Sequence, residues 1–119
     1  MKTTDPNPRI CIIGAGCSGL TAIKNLVQAG LDNIICYEKN DRIGGNWIFT
    51  STVSHSSVAK TTSLISSKTL SAYVDFPMPD AYPDYPSHDQ VLAYFKAYSE
   101  QFGLENYIEF NTIVERAEK

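Results

Sequence analysis

The sequence predicts an α/β fold that starts with a strand–helix–strand unit. Two short apolar runs rich in β-branched residues, at 9–13 and 34–37, have the character of parallel strands buried on both faces of a sheet. Between them, apolar residues recur at helical spacing, and Gly30 supplies a helix stop. A strand, a helix and a second strand in this order form a βαβ unit. We place the domain at residues 9–119, after a polar lead-in at 1–8.

The composition is that of an ordinary globular domain of 119 residues, with 43% hydrophobic and 19% charged residues. The formal net charge of -3 and the lack of a basic run argue against nucleic acid as a partner, because nonspecific binding to phosphates requires clustered lysine and arginine. No apolar stretch approaches the roughly 20 residues of a membrane-spanning helix. The N-terminal residues do not form a secretory signal. We therefore expect a cytoplasmic location and no membrane segment in this chain.

The cysteines and histidines are few and isolated. An odd number of cysteines without metal-like spacing argues against a disulfide framework and against a metal site. Cys11 and Cys36 lie in the apolar runs and are expected to be small buried hydrophobic residues. Cys17 lies at the start of a predicted helix, but we assign it no redox role. His55 and His88 lie in polar segments, and we expect His88 to be exposed in the first turn of a helix and neither residue to be catalytic.

Two unusual segments follow the second predicted strand. Residues 50–71 are rich in serine and threonine, which is typical of a flexible linker, but Leu64 and Ile65 interrupt them with apolar side chains. Residues 73–86 contain several prolines, which fix φ and lack a backbone N–H, so this stretch is neither a helix nor a central strand. Because it is also rich in tyrosine and phenylalanine, we expect it to pack as a rigid arm.

A second helix is predicted to begin at Ser87. Ser87 and Gln90 have the spacing of a capping box, in which each side chain bonds the backbone N–H of the other residue. Gly103 ends the helix, and residues 107–114 alternate in part between apolar and polar side chains, as in a strand or short hairpin. One face of the helix carries an apolar stripe, expected to be core or interface, that consists of Val91, Tyr94, Phe95, Tyr98 and Phe102.

The glycine cluster after the first strand indicates a dinucleotide. Gly14 allows a tight turn, Gly16 lets a pyrophosphate approach the backbone, and Gly19 lets the helix pack closely on the sheet. The helix N terminus then presents N–H groups to the phosphates. Glu38 ends the second strand, where its carboxylate can accept hydrogen bonds from both ribose hydroxyls and would repel the 2′-phosphate of NADP. The fold class is therefore a Rossmann-like βαβ half-domain that binds a dinucleotide.

The pair Gly44–Gly45 bears on the choice between NAD and FAD. It could form a simple turn, or it could let the backbone approach a second part of a long ligand. The composition of this segment leaves both interpretations open.

Four segments together carry a resemblance to a known family. They are GAGCSGL at 14–20, YEKNDRIGGNW at 37–47, SSKTLSAYVDFPMP at 66–79 and YPSHDQVLAYFKAYSEQFGLENYIEF at 85–110. In these four segments the chain resembles the flavin-containing monooxygenases, a family that includes relatives of the Baeyer–Villiger type. The glycine cluster is shared with many FAD enzymes, whereas GGNW and DFPMP are more specific to this family.

The resemblance implies FAD as a tightly held cofactor and NADPH as the reductant. Reduced flavin would react with oxygen to a C4a-hydroperoxide, which transfers one oxygen atom to a small organic substrate, while the protein positions and shields the flavin. By position, Glu38 would bind the adenine ribose, and Lys39 and Arg42 would line the same edge. The other residues that the resemblance assigns to the cofactor are Gly14, Ala15, Gly16, Cys17, Ser18 and Gly19 at the pyrophosphate, Gly45, Asn46 and Trp47 beside the pyrophosphate and ribityl chain, and Leu64.

Two features depart from the family pattern. Members that oxidise amines and sulfides often carry an asparagine near the flavin, where this chain has Leu64 and Ile65. The chain also has no second glycine cluster for NADPH, which would bind mainly in the missing part. We therefore expect an incomplete half-domain that is inactive alone and whose missing C-terminal portion could act in trans. Two alternatives remain open, namely another FAD/NAD(P)H oxidoreductase with two dinucleotide sites and a noncatalytic FAD- or ADP-binding remnant or subunit.

Overall fold

The computed structural model describes residues 5–51 and 58–119, and the chain divides into two compact units. The first unit comprises Met1–Ile43 and Ser99–Lys119, and the second comprises Gly44–Tyr98. In the described part of the chain, no helix is both long enough and apolar enough to cross a membrane.

The first unit contains a three-stranded parallel sheet in the order β1–β2–β3. Strand β1 is Ile10–Ile13, β2 is Ile34–Tyr37 and β3 is Ile108–Glu109. In the register of the sheet, Ile10 lies opposite Ile34, and Cys36 lies opposite Ile108. The predicted α/β fold class is confirmed, and the segment 107–114 supplies a short parallel strand rather than a hairpin.

Helix α1, Cys17–Gln28, connects β1 to β2 and contacts both strands. Leu20 and Ile23 are fully buried, as their helical spacing predicts. The helix stop is also confirmed, because Gly30 has φ +83° and its N–H donates to the carbonyl of Val27 at 3.0 Å.

Strand β1 is not buried on both faces, so that expectation was wrong. Its residues alternate between half-buried and exposed, and Ile13 is 62% exposed. Cys11 is exposed, contrary to prediction, whereas Cys36 is buried as predicted. Alternate residues of a strand face opposite sides of the sheet. Cys11 and Ile13 occupy the positions of β1 that alternate with half-buried Ile10 and Ile12.

The second unit contains helix α2, Lys68–Ser71, and most of helix α3, His88–Phe102. The predicted capping box at the start of α3 is present. The backbone N–H of Ser87 donates to Oε1 of Gln90 at 3.0 Å, and the N–H of Gln90 lies 3.4 Å from Oγ of Ser87. Residue Gly103 ends α3 with φ +63°.

Four of the five residues in the apolar stripe of α3 lie in the core of the second unit. Val91, Tyr94 and Tyr98 are each at most 2% exposed. The ring of Tyr73 lies 4.3 Å from that of Tyr98, centroid to centroid, and the hydroxyl of Tyr94 donates to the carbonyl of Phe76 at 2.5 Å. Within the second unit the stripe is therefore core, one of its two predicted roles, whereas Phe102 is half-buried and lies in the first unit.

The proline-rich segment 73–86 forms neither a helix nor a named strand, as predicted. The ammonium group of Lys68 holds it, since Nζ donates to the carbonyls of Asp80 at 2.9 Å and Tyr82 at 2.7 Å. The interpretation as a rigid arm agrees with these contacts. Of the serine-rich segment, residues 50, 51 and 58–71 are described. Several of them are bonded to other parts of the unit, and the N–H of Leu64, for example, donates to the carbonyl of Pro86 at 2.9 Å.

Candidate dinucleotide-binding site

The candidate site lies at the carboxyl end of β1, where the chain turns into α1. Gly14 has φ +94°, a backbone conformation that side chains other than glycine rarely adopt, although a Cβ there would meet no atom within 4 Å. Its N–H donates to the carbonyl of Tyr37 at 2.8 Å, so the turn starts beside the end of β2. Gly14 is thus required by the turn itself and not by crowding.

Gly19 is required by crowding. A Cβ on this residue would lie 1.9 Å from the carbonyl oxygen of Gly14 and 3.7 Å from the side chain of Ile12. The first turn of α1 therefore approaches the backbone of residues 14–16, called the glycine turn below, more closely than any side chain allows. This agrees with the close packing of helix and sheet that the spacing of the glycines predicts.

Gly16 is the N-cap residue of α1, and its carbonyl accepts from the N–H of Leu20 at 3.0 Å. No side chain caps the helix, and its first turn contains no acidic residue. The first N–H groups of a helix have no intrahelical acceptor, and the end of the helix carries a partial positive charge. This end of α1 is therefore suited to an anionic group such as a pyrophosphate.

Glu38 follows β2 directly and is only 3% exposed. Its Oε2 accepts from the backbone N–H of Ala15 in the glycine turn at 2.6 Å, and its Oε1 accepts from the N–H of Asn40 at 2.9 Å. A carboxylate has about four lone-pair positions, so both oxygens can accept further bonds. The structure thus brings Glu38 to the glycine turn, while its ribose contact stays a prediction.

The residues that hold the backbone of Glu38 were not predicted from the sequence. Its N–H donates to the carbonyl of Glu109, and its carbonyl accepts from Thr112, both at 2.9 Å. Asn111 has φ +53°, and its N–H donates to the carbonyl of Asn40 at 3.0 Å. Asparagine adopts this left-handed conformation more readily than most residues, so a turn at Asn111 could have been predicted from the sequence.

Four other predicted cofactor residues of the first unit are on its surface. Cys17 and Ser18 occupy the first turn of α1, with Sγ and Oγ 3.9 Å apart. Lys39 is exposed, and the exposed Arg42 has its Nε 3.5 Å from Oδ1 of Asp41. Their roles at a cofactor stay predictions.

The remaining predicted residues belong to the second unit. Gly44 and Gly45 have φ of +125° and +56°, and the short 3-10 turn Gly45–Trp47 follows. A Cβ on Gly44 would lie 2.3 Å from Cδ1 of Leu92. The glycine pair therefore forms a turn, one of the two interpretations that the sequence left open. Contacts of Gly45, Asn46, Trp47 and Leu64 with a cofactor stay predictions.

The histidine predictions have different outcomes. His88 begins α3, as predicted, but it is 4% exposed, so the expectation that it is exposed was wrong. Contacts with Phe49 and Lys60 bury its ring, and neither residue is its neighbour in sequence. His55 lies outside the described residues.

The buried thiol of Cys36 lies beneath the glycine turn, and its Sγ donates to the carbonyl of Gly14 at 3.4 Å. Burial first, and then the negative charge of Glu38, raise the pKa of this thiol to about 11. The side chain therefore remains a neutral thiol that supports the turn. Among the described residues, no group of three or more histidine, cysteine, aspartate or glutamate side chains could hold a metal ion.

The fold and the glycine turn place the chain in the class of Rossmann-like α/β proteins. More narrowly, the chain belongs to the flavin-binding monooxygenase-like family, whose model matches residues 7–119. The resemblance seen in the sequence is thereby confirmed.

Individual relatives agree with this assignment. Flavin-containing monooxygenase 5 of Rattus norvegicus is 41% identical over 108 residues, which are 89% of this chain and 20% of the relative. The solved S-allyl-L-cysteine S-oxygenase of Allium sativum has a TM-score of 0.82 and 25% identity, over 92% of this chain and 29% of that one. A Q193R H194T mutant of a flavin monooxygenase from Stenotrophomonas maltophilia has a TM-score of 0.77 and 26% identity, over 93% of this chain and 30% of that one. The chain thus spans about a fifth of the length of the curated relatives it matches.

Proposed function

We propose that this chain supplies the FAD-binding part of an FAD- and NADPH-dependent monooxygenase that transfers one oxygen atom to a small organic molecule. One observation carries the proposal, namely that Glu38 and the glycine turn are joined by a hydrogen bond of 2.6 Å between Glu38 Oε2 and the N–H of Ala15. The proposed ribose acceptor and the helix end proposed to bind the pyrophosphate are therefore adjacent. Membership of a flavin-binding family supports FAD as the dinucleotide.

The residues present fit the adenosine diphosphate half of FAD. The uncapped start of α1 supplies N–H donors and a positive helix end for the two phosphates. Gly14 leaves open space where a side chain would project. The charge of Glu38 favours a ribose with free hydroxyls and disfavours a 2′-phosphate, which separates this site from one for NADPH.

The protein's part in the reaction is to bind and orient the cofactor. Bound FAD supplies the redox chemistry, with NADPH as reductant and dioxygen as the source of the transferred atom. Glu38 orients the adenosine end, and Lys39 and Arg42 contribute positive charge on the same edge. By the resemblance, Gly45, Asn46, Trp47 and Leu64 would contact another part of the cofactor.

The isolated chain binds FAD without oxidising NADPH. Its sequence contains one G-x-G-x-x-G cluster, at 14–19, and we assign that cluster to FAD. Binding of NADPH would then depend on residues equivalent to the other four-fifths of the relatives. The protein that contains this part is cytoplasmic and acts on a small molecule.

Competition between ligands tests this function. FAD is titrated into the purified chain and followed by flavin fluorescence, with ADP, FMN and NADP as competitors. ADP is expected to displace FAD because it carries the recognised half, whereas FMN and NADP are expected to compete poorly. Displacement by FMN but not by ADP would contradict the proposal, and so would steady NADPH oxidation by the isolated chain.

A further inference from the structure

His88 is buried at the start of α3, and its ring nitrogens face oxygen atoms. Nε2 lies 3.0 Å from the carbonyl oxygen of Lys60. A carbonyl can only accept, so Nε2 carries the proton and donates it. Nδ1 is buried without a hydrogen-bond partner, although it lies 3.3 Å from Oδ1 of the exposed Asp89. The distance is short enough for an ion pair with a protonated ring, but the geometry does not make a hydrogen bond.

The segment 60–64 is bonded to the start of α3 at several points. The N–H of His88 donates to the carbonyl of Thr62 at 3.0 Å, and the N–H of Leu64 donates to that of Pro86 at 2.9 Å. Ser63 and Ser87 form an antiparallel bridge. Among the described residues, the side chain of His88 makes one hydrogen bond to this segment, from the imidazole to the carbonyl of Lys60.

The same imidazole contacts a second segment. The ring of Phe49 lies 5.7 Å from that of His88, centroid to centroid, with 43° between their planes. Phe49 is two residues beyond the turn Gly45–Trp47. One buried ring therefore contacts both the segment that ends in Leu64 and the segment that follows Trp47.

We propose that His88 is a positioning residue that fixes the segments 45–49 and 60–64 relative to each other. These are the two segments of the second unit to which the resemblance assigns cofactor contacts, so the proposal rests on the proposed function. His88 acts by donating from Nε2 to Lys60 while its ring packs on Phe49. It does not itself touch the cofactor.

The geometry predicts which replacements retain this role. Glutamine places an amide N–H at about the reach of Nε2, whereas asparagine reaches only as far as Nδ1. His88→Gln is therefore expected to keep the bond to Lys60, and His88→Asn to lose it. The two variants are a matched pair because both are neutral amides that differ by one methylene group.

The first test needs no cofactor. Nitrogen-15 NMR on the chain is expected to show His88 as the Nε2–H tautomer when its ring is neutral, with His55→Gln used to assign the signals. The amide of Thr61, which shares a peptide group with the carbonyl of Lys60, is expected to shift in His88→Asn and to remain near its wild-type position in His88→Gln. An Nδ1–H tautomer, or equal shifts in both variants, would overturn the proposed bond.

The second test measures FAD binding. We expect His88→Asn to raise the Kd for FAD by on the order of tenfold, the size expected for one lost hydrogen bond, and His88→Gln to change it less than about threefold. Val91→Ala, which removes buried volume from the same helix, controls for lost stability and should leave the Kd within about threefold. Equal affinity of all four proteins would overturn the positioning role. Failure of the wild-type chain to bind FAD would instead overturn the proposed function, and the NMR result would still decide on the bond.

Discussion

Glu38 and Ala15 are joined by a hydrogen bond of 2.6 Å from the backbone N–H of the glycine turn to a buried carboxylate oxygen. This bond ties the end of β2 to the turn between β1 and α1. A second bond, from the N–H of Asn40 at 2.9 Å, fixes the other carboxylate oxygen. The group proposed to bind ribose is therefore held in place by the backbone that surrounds it.

Gly19→Ala is expected to destabilise the first unit more than Gly30→Ala does. The new methyl group at position 19 would lie 1.9 Å from the carbonyl oxygen of Gly14, which is backbone and cannot move aside without displacing the turn. Overpacking of this kind costs about 1–3 kcal/mol or more. At Gly30 the space is open, and φ +83° alone costs about 1–2 kcal/mol. Urea denaturation of both variants measures the difference. Equal losses in the free energy of unfolding would contradict this expectation, because they would show that the backbone moves to relieve the close contact at position 19.

Tyr94→Phe is expected to lower the free energy of unfolding by about 1–3 kcal/mol, because two hydrogen bonds to half-buried backbone groups are lost, each worth about 0.5–1.5 kcal/mol. The hydroxyl of Tyr94 accepts from the N–H of Tyr73 at 2.8 Å and donates to the carbonyl of Phe76 at 2.5 Å. Burial raises the pKa of Tyr94, so the hydroxyl remains a donor at neutral pH. Tyr85→Phe serves as the control, since Tyr85 is 58% exposed. Equal denaturation midpoints for the two variants would contradict this account.

Lys68→Met is expected to loosen the proline-rich segment 73–86. Nζ of Lys68 donates to the backbone carbonyls of Asp80 and Tyr82 and lies 3.5 Å from that of Pro79. Methionine keeps the length of the side chain but none of these donors. Limited proteolysis should cut the segment faster in this variant than in the wild type, while Lys96→Met, at an exposed position of α3, should leave the rate unchanged. Unchanged cleavage in Lys68→Met would show that the hydrogen bonds of Lys68 do not hold the segment in place.

The three thiols are expected to differ in their reaction with iodoacetamide at pH 8. Cys11 and Cys17 are exposed and should be alkylated first, whereas Cys36 is buried and has a pKa raised to about 11. In the folded state this pKa lies above its ordinary value of 9.0. The neutral thiol therefore makes its full contribution to the free energy of unfolding below about pH 9, and this contribution is lost as the pH rises towards 11. Mass spectrometry of timed samples gives the order. Alkylation of Cys36 as fast as Cys11 in the folded chain would contradict it.

The sequence predicted the parts of the fold that depend on local patterns. The βαβ unit, the stop at Gly30 and the capping box of Ser87 and Gln90 follow from spacing within a few residues, and all three are present. The sequence also placed Glu38 at the end of the second strand. The structure brings it to the glycine turn, because parallel strands end at the same edge of a sheet. It did not reveal that Ala15 donates to the carboxylate.

The failures concern residues whose surroundings come from distant parts of the chain. His88 is buried by Phe49 and by the carbonyl of Lys60, which are 39 and 28 residues away in sequence. The prediction that it is exposed was based on the polar residues next to it in sequence, and these do not determine its burial. Cys11 is exposed although it lies in an apolar run, because its position in β1 is not covered by the described residues. Local composition does not show that distant residues cover His88, or that none of the described residues covers Cys11.

The central claim is that Glu38 and the glycine turn together bind the adenosine diphosphate part of FAD. The most direct test is equilibrium titration of FAD into the wild-type chain and into Glu38→Ala, with circular dichroism to establish that both are folded. We predict saturable binding to the wild type and at least tenfold weaker binding to the folded variant, because the ribose acceptor and the support of the turn are both removed. Equal affinity of the two folded proteins, or no binding by the wild type, would contradict the claim.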